Sequence, residues 1–187
     1  INASRGNIPV LFSSGRTPYS ETGDREGRRT REVHWPQEMF DQGALAREMV
    51  KWDYELKDKA VLETVVDRAI NIAMTEPRGP IYLTLPREPL AEKFQSFDFT
   101  SPSRHATPTV AWPDPNAIDQ LALRIANAEN PLIITQDSGA DINAVGPLAA
   151  LSDRYAIPVI QRKARYLCLP SDHPMHLGYD SDPYLYF

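Results

Sequence analysis

The chain has 187 residues, enough for one ordinary domain or two smaller α/β units, with 42% hydrophobic and 24% charged residues in the globular range. A formal net charge of −5 argues against a nucleic-acid partner, which would favour a basic face. No apolar run approaches the roughly 20 residues that span a bilayer, no secretory leader pattern opens the chain, and the single cysteine, Cys168, fits a reducing cytoplasmic setting.

In chain order, a strand is predicted at Pro9-Val10-Leu11-Phe12. Residues 16–32 then alternate arginines with acids (Arg25, Glu26, Arg28, Arg29, Arg31, Glu32). Gly15, Gly23 and Gly27 lack a phosphate-loop spacing and the charges nearly cancel, so a solvated surface loop is expected. The clearest helix covers residues 62–75, where Leu62, Val65, Val66, Ala69, Ile70 and Ala73 form one apolar stripe. Asp58 is its expected N-cap, and Pro77 with Gly79 stops it. Ile81-Tyr82-Leu83-Thr84-Leu85, ended by Pro86, reads as a buried strand.

Residues 87–114 change character, with Pro86, Pro89, Pro102, Pro108, Pro113 and Pro115 and no sustained period, as expected of an extended linker. Beyond it, Asp114-Pro115 is an N-cap signature for a helix carrying Ile118, Leu121, Ala122 and Ile125. A strand at Leu132-Ile133-Ile134-Thr135, a turn at Gln136-Asp137-Ser138-Gly139, a helix at 143–155 and a strand at Pro158-Val159-Ile160-Gln161 follow. This rhythm predicts an α/β fold of parallel-sheet βαβ layers: two incomplete Rossmann-like or flavodoxin-like domains joined by a Pro-rich linker. Both ends read as interior positions, the last being the apolar run Tyr184-Leu185-Tyr186-Phe187.

Spacing alone assigns no chemistry. Of four histidines, His34, His105, His173 and His176, only His173-Pro174-Met175-His176 has a ligand-like spacing, and no cysteine or carboxylate set completes a metal site there. The turn at 136–139 stands where α/β sheets receive ligands but lacks the G-x-G-x-x-G pattern. No nucleophile elbow, zinc-protease or kinase pattern occurs.

One stretch carries more. His34-Trp35-Pro36-Gln37-Glu38-Met39-Phe40-Asp41-Gln42 is followed by Arg47-Glu48-Met49-Val50-Lys51-Trp52-Asp53-Tyr54-Glu55-Leu56, then by Glu76-Pro77-Arg78-Gly79-Pro80 and a strand closing in Leu85-Pro86. This resembles the second half of the pyrimidine-binding domain of thiamine-diphosphate enzymes of the acetolactate synthase-like group, which read Phe-Gln-Glu, Thr-Lys-Trp and Pro-Gly-Pro-Val. Residues 169–178 are similar to the Leu-Pro-x-Asp-His-Pro-x-x-Leu-Gly run of that group's central domain.

The resemblance implies that residues 1–88 are the C-terminal half of the pyrimidine-binding domain, 89–114 a linker, and 115–187 the N-terminal half of the central domain. It implies a thiamine-diphosphate- and Mg2+-dependent 2-oxo acid decarboxylase or carboligase, a cytoplasmic homodimer or homotetramer when full length. Another lyase on the scaffold, of oxalyl- or aryl-2-oxo acid decarboxylase type, and a non-catalytic α/β ligand-binding module remain alternatives. It places no catalytic residue in this chain: the activating glutamate is expected upstream of residue 1 and the magnesium site beyond residue 187. Gln37 matches the glutamine of Phe-Gln-Glu, on the substrate side of the cofactor, where a neutral amide can donate to a carboxylate. Lys51 matches the lysine of Thr-Lys-Trp, or is an ordinary surface lysine. Trp35 and Pro36 replace Ala-Phe, which puts acetolactate-type substrate preference in doubt.

Two departures from the group carry expectations. The loop at 17–32 is longer than in ordinary acetolactate synthases and is expected to narrow the substrate entrance. Flavin-binding relatives use a Gly-Gly-Gly turn where this chain has Gln136-Asp137-Ser138, and small residues where it has Gln161-Arg162-Lys163-Ala164-Arg165-Tyr166, so FAD is predicted absent.

Overall fold

A computed structural model describes residues 1–97, 108, 109 and 111–180, which divide at Val110/Ala111 into two compact units. In the first unit the order is α1 (Asn2–Arg5), β1 (Leu11–Arg16), α2 (Ala44–Arg47), β2 (Trp52–Glu55), α3 (Leu62–Met74), β3 (Ile81–Pro86) and α4 (Arg87–Ala91). The second contains α5 (Pro115–Asn127), β4 (Ile133–Thr135), α6 (Val145–Tyr155), β5 (Val159–Arg162) and β6 (His176–Asp180). The α/β fold with parallel sheets is as expected.

The first sheet runs β1-β3-β2, all parallel, with Leu11 opposite Ile81 and Arg16 opposite Pro86, and Trp52 opposite Ile81 on the other side. Alternation along β3 divides its residues between two faces. Ile81 and Leu83 join Leu56 and the α3 residues Val65, Ala69 and Ala73 in the core. The helical stripe is rotated from its expected position: Ile70 is 47% exposed, whereas Ile72 packs against the core. Asp58 caps a 3-10 turn, Lys59–Val61, that leads into α3, its carboxylate accepting from Ala60 N at 2.8 Å.

Three further differences have physical causes. The first strand lies at Leu11–Arg16 rather than 9–12, because pairing with β3 recruits Ser13, Ser14 and Gly15, whose own β-preference is weak. Strand β2 was not anticipated, since Asp53 and Glu55 interrupt its apolar residues. In the second unit β4-β5-β6 is again parallel, and β6 is a third strand that the sequence did not mark. Its ladder with β5 slips between Val159 and Gln161, and Gly178, at φ +109°, weakens the strand signal of β6 in the sequence.

The start of the expected linker forms α4, with Glu88 and Pro89 buried. Residues 98–107, which include Pro102 and His105, and the terminal run Tyr184 to Phe187 lie outside the described residues. Among the described residues no helix is long and apolar enough to cross a membrane.

Candidate functional site

Ligands of parallel α/β sheets gather at the carboxyl ends of the strands. In the first unit those ends carry Arg16, Glu55 and Pro86. Arg16 bridges the two edge strands: Nη1 pairs with Glu55, Nη2 donates to Met39 O at 3.2 Å, and Glu38 stands 3.9 Å away. Its charge is therefore balanced locally.

The charged loop is not uniformly solvated. Arg29 is only 4% exposed. Its Nε donates to Pro18 O at 2.8 Å, its Nη2 pairs with Glu38, and its guanidinium lies 5.2 Å from the Trp35 ring centroid. Trp35 Nε1 donates to Glu21 Oε1 at 3.2 Å. A buried arginine needs paired acceptors to offset its desolvation, and the loop folds back to supply them. Gly27 seats the loop on α4: at φ +85° it lies so close that a Cβ would stand 2.7 Å from Arg87 O.

Gln37 and Pro36 follow this cluster and are exposed. Gln37 N donates to Val33 O at 3.3 Å, and its side-chain amide has no recorded partner among the described residues. Lys51 is differently employed. Its Nζ donates to Ile72 O and Thr75 O, both at 2.6 Å, so it binds the last carbonyls of α3 as a capping cation. Burial lowers its pKa, against the pull of Glu76. Lys51 is thus held by a helix end, while Trp35, Pro36 and Gln37 stand together.

A second polar cluster escaped the sequence. Gln42 Nε2 donates to Ser14 Oγ at 2.6 Å, Gly15 O at 2.9 Å and Tyr82 Oη at 3.2 Å, and Ser14 Oγ lies 2.6 Å from Tyr82 Oη. Burial pushes the Tyr82 phenol up, but hydrogen bonds with Ser14, Gln42 and Thr84 outweigh it and hold the group below its ordinary range. The register that sets Ser14 on the same sheet face as Tyr82 could signal this only once β1 is correctly placed.

In the second unit the corresponding strand ends are closed by the chain itself. A Cβ on Gly139 would overlap the Leu167 carbonyl oxygen, and Cys168 Sγ is 3.4 Å from Gln136 O. Arg165 pairs with Asp137 through Nε at 3.1 Å and Nη2 at 2.5 Å. Gln161 is fully buried; its Oε1 accepts from Cys168 N at 2.7 Å, and its Nε2 donates to Leu169 O at 3.2 Å. His176 turns to Gln161 at 2.6 Å, whereas His173 faces Asp153 at 3.3 Å, so the two imidazoles have different partners. Among the described residues no group of three or more His, Cys, Asp or Glu could hold a metal ion.

Solved structures of thiamine-diphosphate-dependent enzymes share this fold. The chain aligns with a thiamine diphosphate-dependent 4-hydroxybenzoylformate decarboxylase from Rhodococcus jostii at TM-score 0.69 and 18% identity, over 95% of this chain and 32% of that one. In sequence, a sulfoacetaldehyde acetyltransferase from Rhodobacter capsulatus is 30% identical over 138 residues, 74% of this chain and 22% of the relative. Benzoylformate decarboxylase from Pseudomonas aeruginosa is 24% identical over 178 residues, 95% of this chain and 32% of the relative. The homologues are thiamine-diphosphate-dependent enzymes, and the chain spans no more than 32% of the length of these two curated relatives. No family model matches the chain.

Proposed function

We propose that this chain is part of a thiamine-diphosphate-dependent enzyme acting on small 2-oxo acids, a decarboxylase or carboligase. The observation that carries the reading is that similarity runs through both units in one order, over 95% of the chain in sequence and in fold. On this reading residues 1–88 are the second half of a pyrimidine-binding domain, 89–114 a linker and 115–187 the first half of a central domain. Gln37, with its free amide beside Trp35 and Pro36, offers a neutral donor to a substrate carboxylate on the cofactor's substrate side. The cofactor supplies the nucleophilic carbon; these side chains orient the substrate and exclude water.

Among the described residues no cluster of ligands offers a magnesium site. The reading requires an activating glutamate and a magnesium-diphosphate motif that residues 1–187 do not supply. It also carries the group's homodimeric or homotetrameric assembly and a cytoplasmic setting, the latter supported by the buried free thiol of Cys168. The absence of FAD is supported by Gly139 backed against Leu167 and by the buried, fully bonded amide of Gln161, which leave no room for backbone to approach a pyrophosphate.

Two relatives are named for aryl 2-oxo acids, which favours an aryl-2-oxo acid decarboxylase as a second form of the reading. The test is carbon dioxide release and coupled product from pyruvate, glyoxylate and benzoylformate, with native-length protein, thiamine diphosphate and Mg2+. Turnover of a donor that needs the cofactor is expected; none with any donor defeats the assignment.

A further inference from the structure

Gln37 is exposed and its side-chain amide has no recorded partner among the described residues, so its place is set through its neighbours in the chain. Those neighbours converge on one guanidinium. We propose that Arg29, from the charged loop, is the positioning residue of Gln37. Its guanidinium lies 5.2 Å from the ring centroid of Trp35, which precedes Gln37, and its Nη2 pairs with the carboxylate of Glu38, which follows it. Nε donates to Pro18 O at 2.8 Å and anchors the group, and Arg29 is only 4% exposed.

The grip acts on both sides of Gln37. A planar guanidinium can present its face to an indole while its edge donates to a carbonyl and a carboxylate, which an ammonium cannot do at once. Glu21 closes the arrangement: its Oε1 accepts from Trp35 Nε1 at 3.2 Å and stands 3.9 Å from Arg29 Nη1, so the indole is held in rotation as well as in position. Between the two held residues the backbone turns tightly, Gln37 N donating to Val33 O at 3.3 Å and Glu38 N to Trp35 O at 3.1 Å. A turn pinned at Trp35 and at Glu38 leaves residue 37 little freedom, as supporting contacts do for a ligand-facing side chain. Arg16 adds to the hold on the far side, donating to Met39 O at 3.2 Å and standing 3.9 Å from Glu38. Pro18, Glu21 and Arg29 all belong to the loop at 17–32, which thus reaches Gln37 through one buried side chain. The part given to Gln37 rests on the proposed function, whereas the hold on its segment does not.

The test combines hydrogen–deuterium exchange with steady-state kinetics on native-length protein, thiamine diphosphate and Mg2+. In Arg29→Met the amides of Gln37 and Glu38 are expected to exchange about tenfold faster or more, and in Glu38→Gln several-fold faster. The Glu38 side chain is 35% exposed, so Glu38→Gln keeps the fold and carries the test alone if Arg29→Met does not fold. Ser20→Ala, which loosens the loop without touching the grip, is expected to leave both amides unchanged. With a 2-oxo acid that turns over, Arg29→Met and Gln37→Leu are each expected to raise KM about tenfold with kcat changed less than about threefold. The double variant is expected to be no worse than Gln37→Leu, because a residue that acts through another does not add to it. Unchanged exchange at Gln37 and Glu38 in either grip variant, equal acceleration in Ser20→Ala, or KM effects that multiply in the double variant would each overturn the proposal. An unaltered KM in Gln37→Leu beside faster exchange in Arg29→Met would instead remove Gln37 from the proposed function and leave the hold by Arg29 standing.

Discussion

The carboxylate of Glu88 holds the backbone of Ser20: Oε1 accepts from Ser20 N at 2.7 Å and from Ser20 Oγ at 2.6 Å. Glu88 is fully buried at the start of α4, 68 residues away in sequence, so this pair ties the charged loop to the carboxyl edge of the sheet. Arg29 N in turn donates to Ser20 O at 2.9 Å, which closes the loop on itself.

Glu88→Ala is expected to destabilise the chain by about 2 kcal/mol, because two donors lose a charged acceptor. Glu88→Gln keeps an acceptor in place and is expected to cost less than half as much, and Ser20→Ala about 1 kcal/mol. Amide exchange at Ser20 and Arg29 should accelerate most in Glu88→Ala. Unchanged exchange there would mean that the loop is held by other contacts. At native length, the same loosening tests the proposal that residues 17–32 narrow the substrate entrance, through a change in KM for bulky donors.

Arg47 joins α2 to β2 by pairing with Asp41 (2.7 and 3.1 Å) and with Asp53 (3.0 and 2.9 Å). The Arg47 hydrogen bond, helped by Ala44 N and opposed by burial, holds the Asp41 carboxyl below the usual aspartate value of about 3.9. A depressed folded-state pKa gives stability that is fully present above the unfolded value and is lost as pH falls through the folded one. The stability difference between the wild type and Asp41→Asn should therefore be constant above about pH 4 and vanish in stronger acid. Urea denaturation from pH 6 to pH 2 measures it, and a difference that persists in acid would remove Asp41 from this role.

Tyr82 should be the first of its neighbourhood to ionise in base. Burial alone would raise its phenol, yet hydrogen bonds with Ser14, Gln42 and Thr84 leave it lowered, whereas burial raises Tyr19 despite the opposing charge of Arg25. Tyrosinate absorbance should show an early step ahead of the other tyrosines, and Tyr82→Phe should remove that step while leaving the later ones. Gln42→Leu should shift the step to higher pH, since it deletes one bond to the phenol. A titration curve unaltered by Tyr82→Phe would refute the assignment.

Much of the frame was readable from periodicity, and the failures share a cause. Helix α3 shows its stripe because one face is buried, and the apolar run of β3 shows because it lies at the sheet's centre. Strand β2 hides because its acids are neutralised from outside the strand, Asp53 by Arg47 on α2 and Glu55 by Arg16, 39 residues away in sequence. Arg29 hides better still, since nothing in a run of arginines marks the buried one. In the sequence Gln161 shows only as a bulky residue at a strand end, whereas in the structure its amide serves Cys168 and Leu169. Gln37, Trp35 and Pro36 were singled out by resemblance, which carries position but not bonding; Lys51, singled out the same way, proved to cap α3.

The closed turn after β4 gives a test that needs no ligand. Gly139 lies against the Leu167 carbonyl, and the Cys168 amide nitrogen would stand 3.1 Å from an added Cβ, so Gly139→Ala must push two backbone segments apart. Backbone yields less readily than the end of a side chain, and a loss of about 2–4 kcal/mol is expected. The displacement should also disturb the Cys168 Sγ contact to Gln136 O, so the thiol, buried in the wild type, should react faster with a maleimide in the variant. If the strand ends instead stood open for a pyrophosphate, the alanine would be tolerated, Cys168 would react alike in both proteins, and native-length enzyme would carry flavin absorbance. A stable Gly139→Ala variant with unchanged thiol reactivity would thus count against both the packing and the proposed absence of FAD.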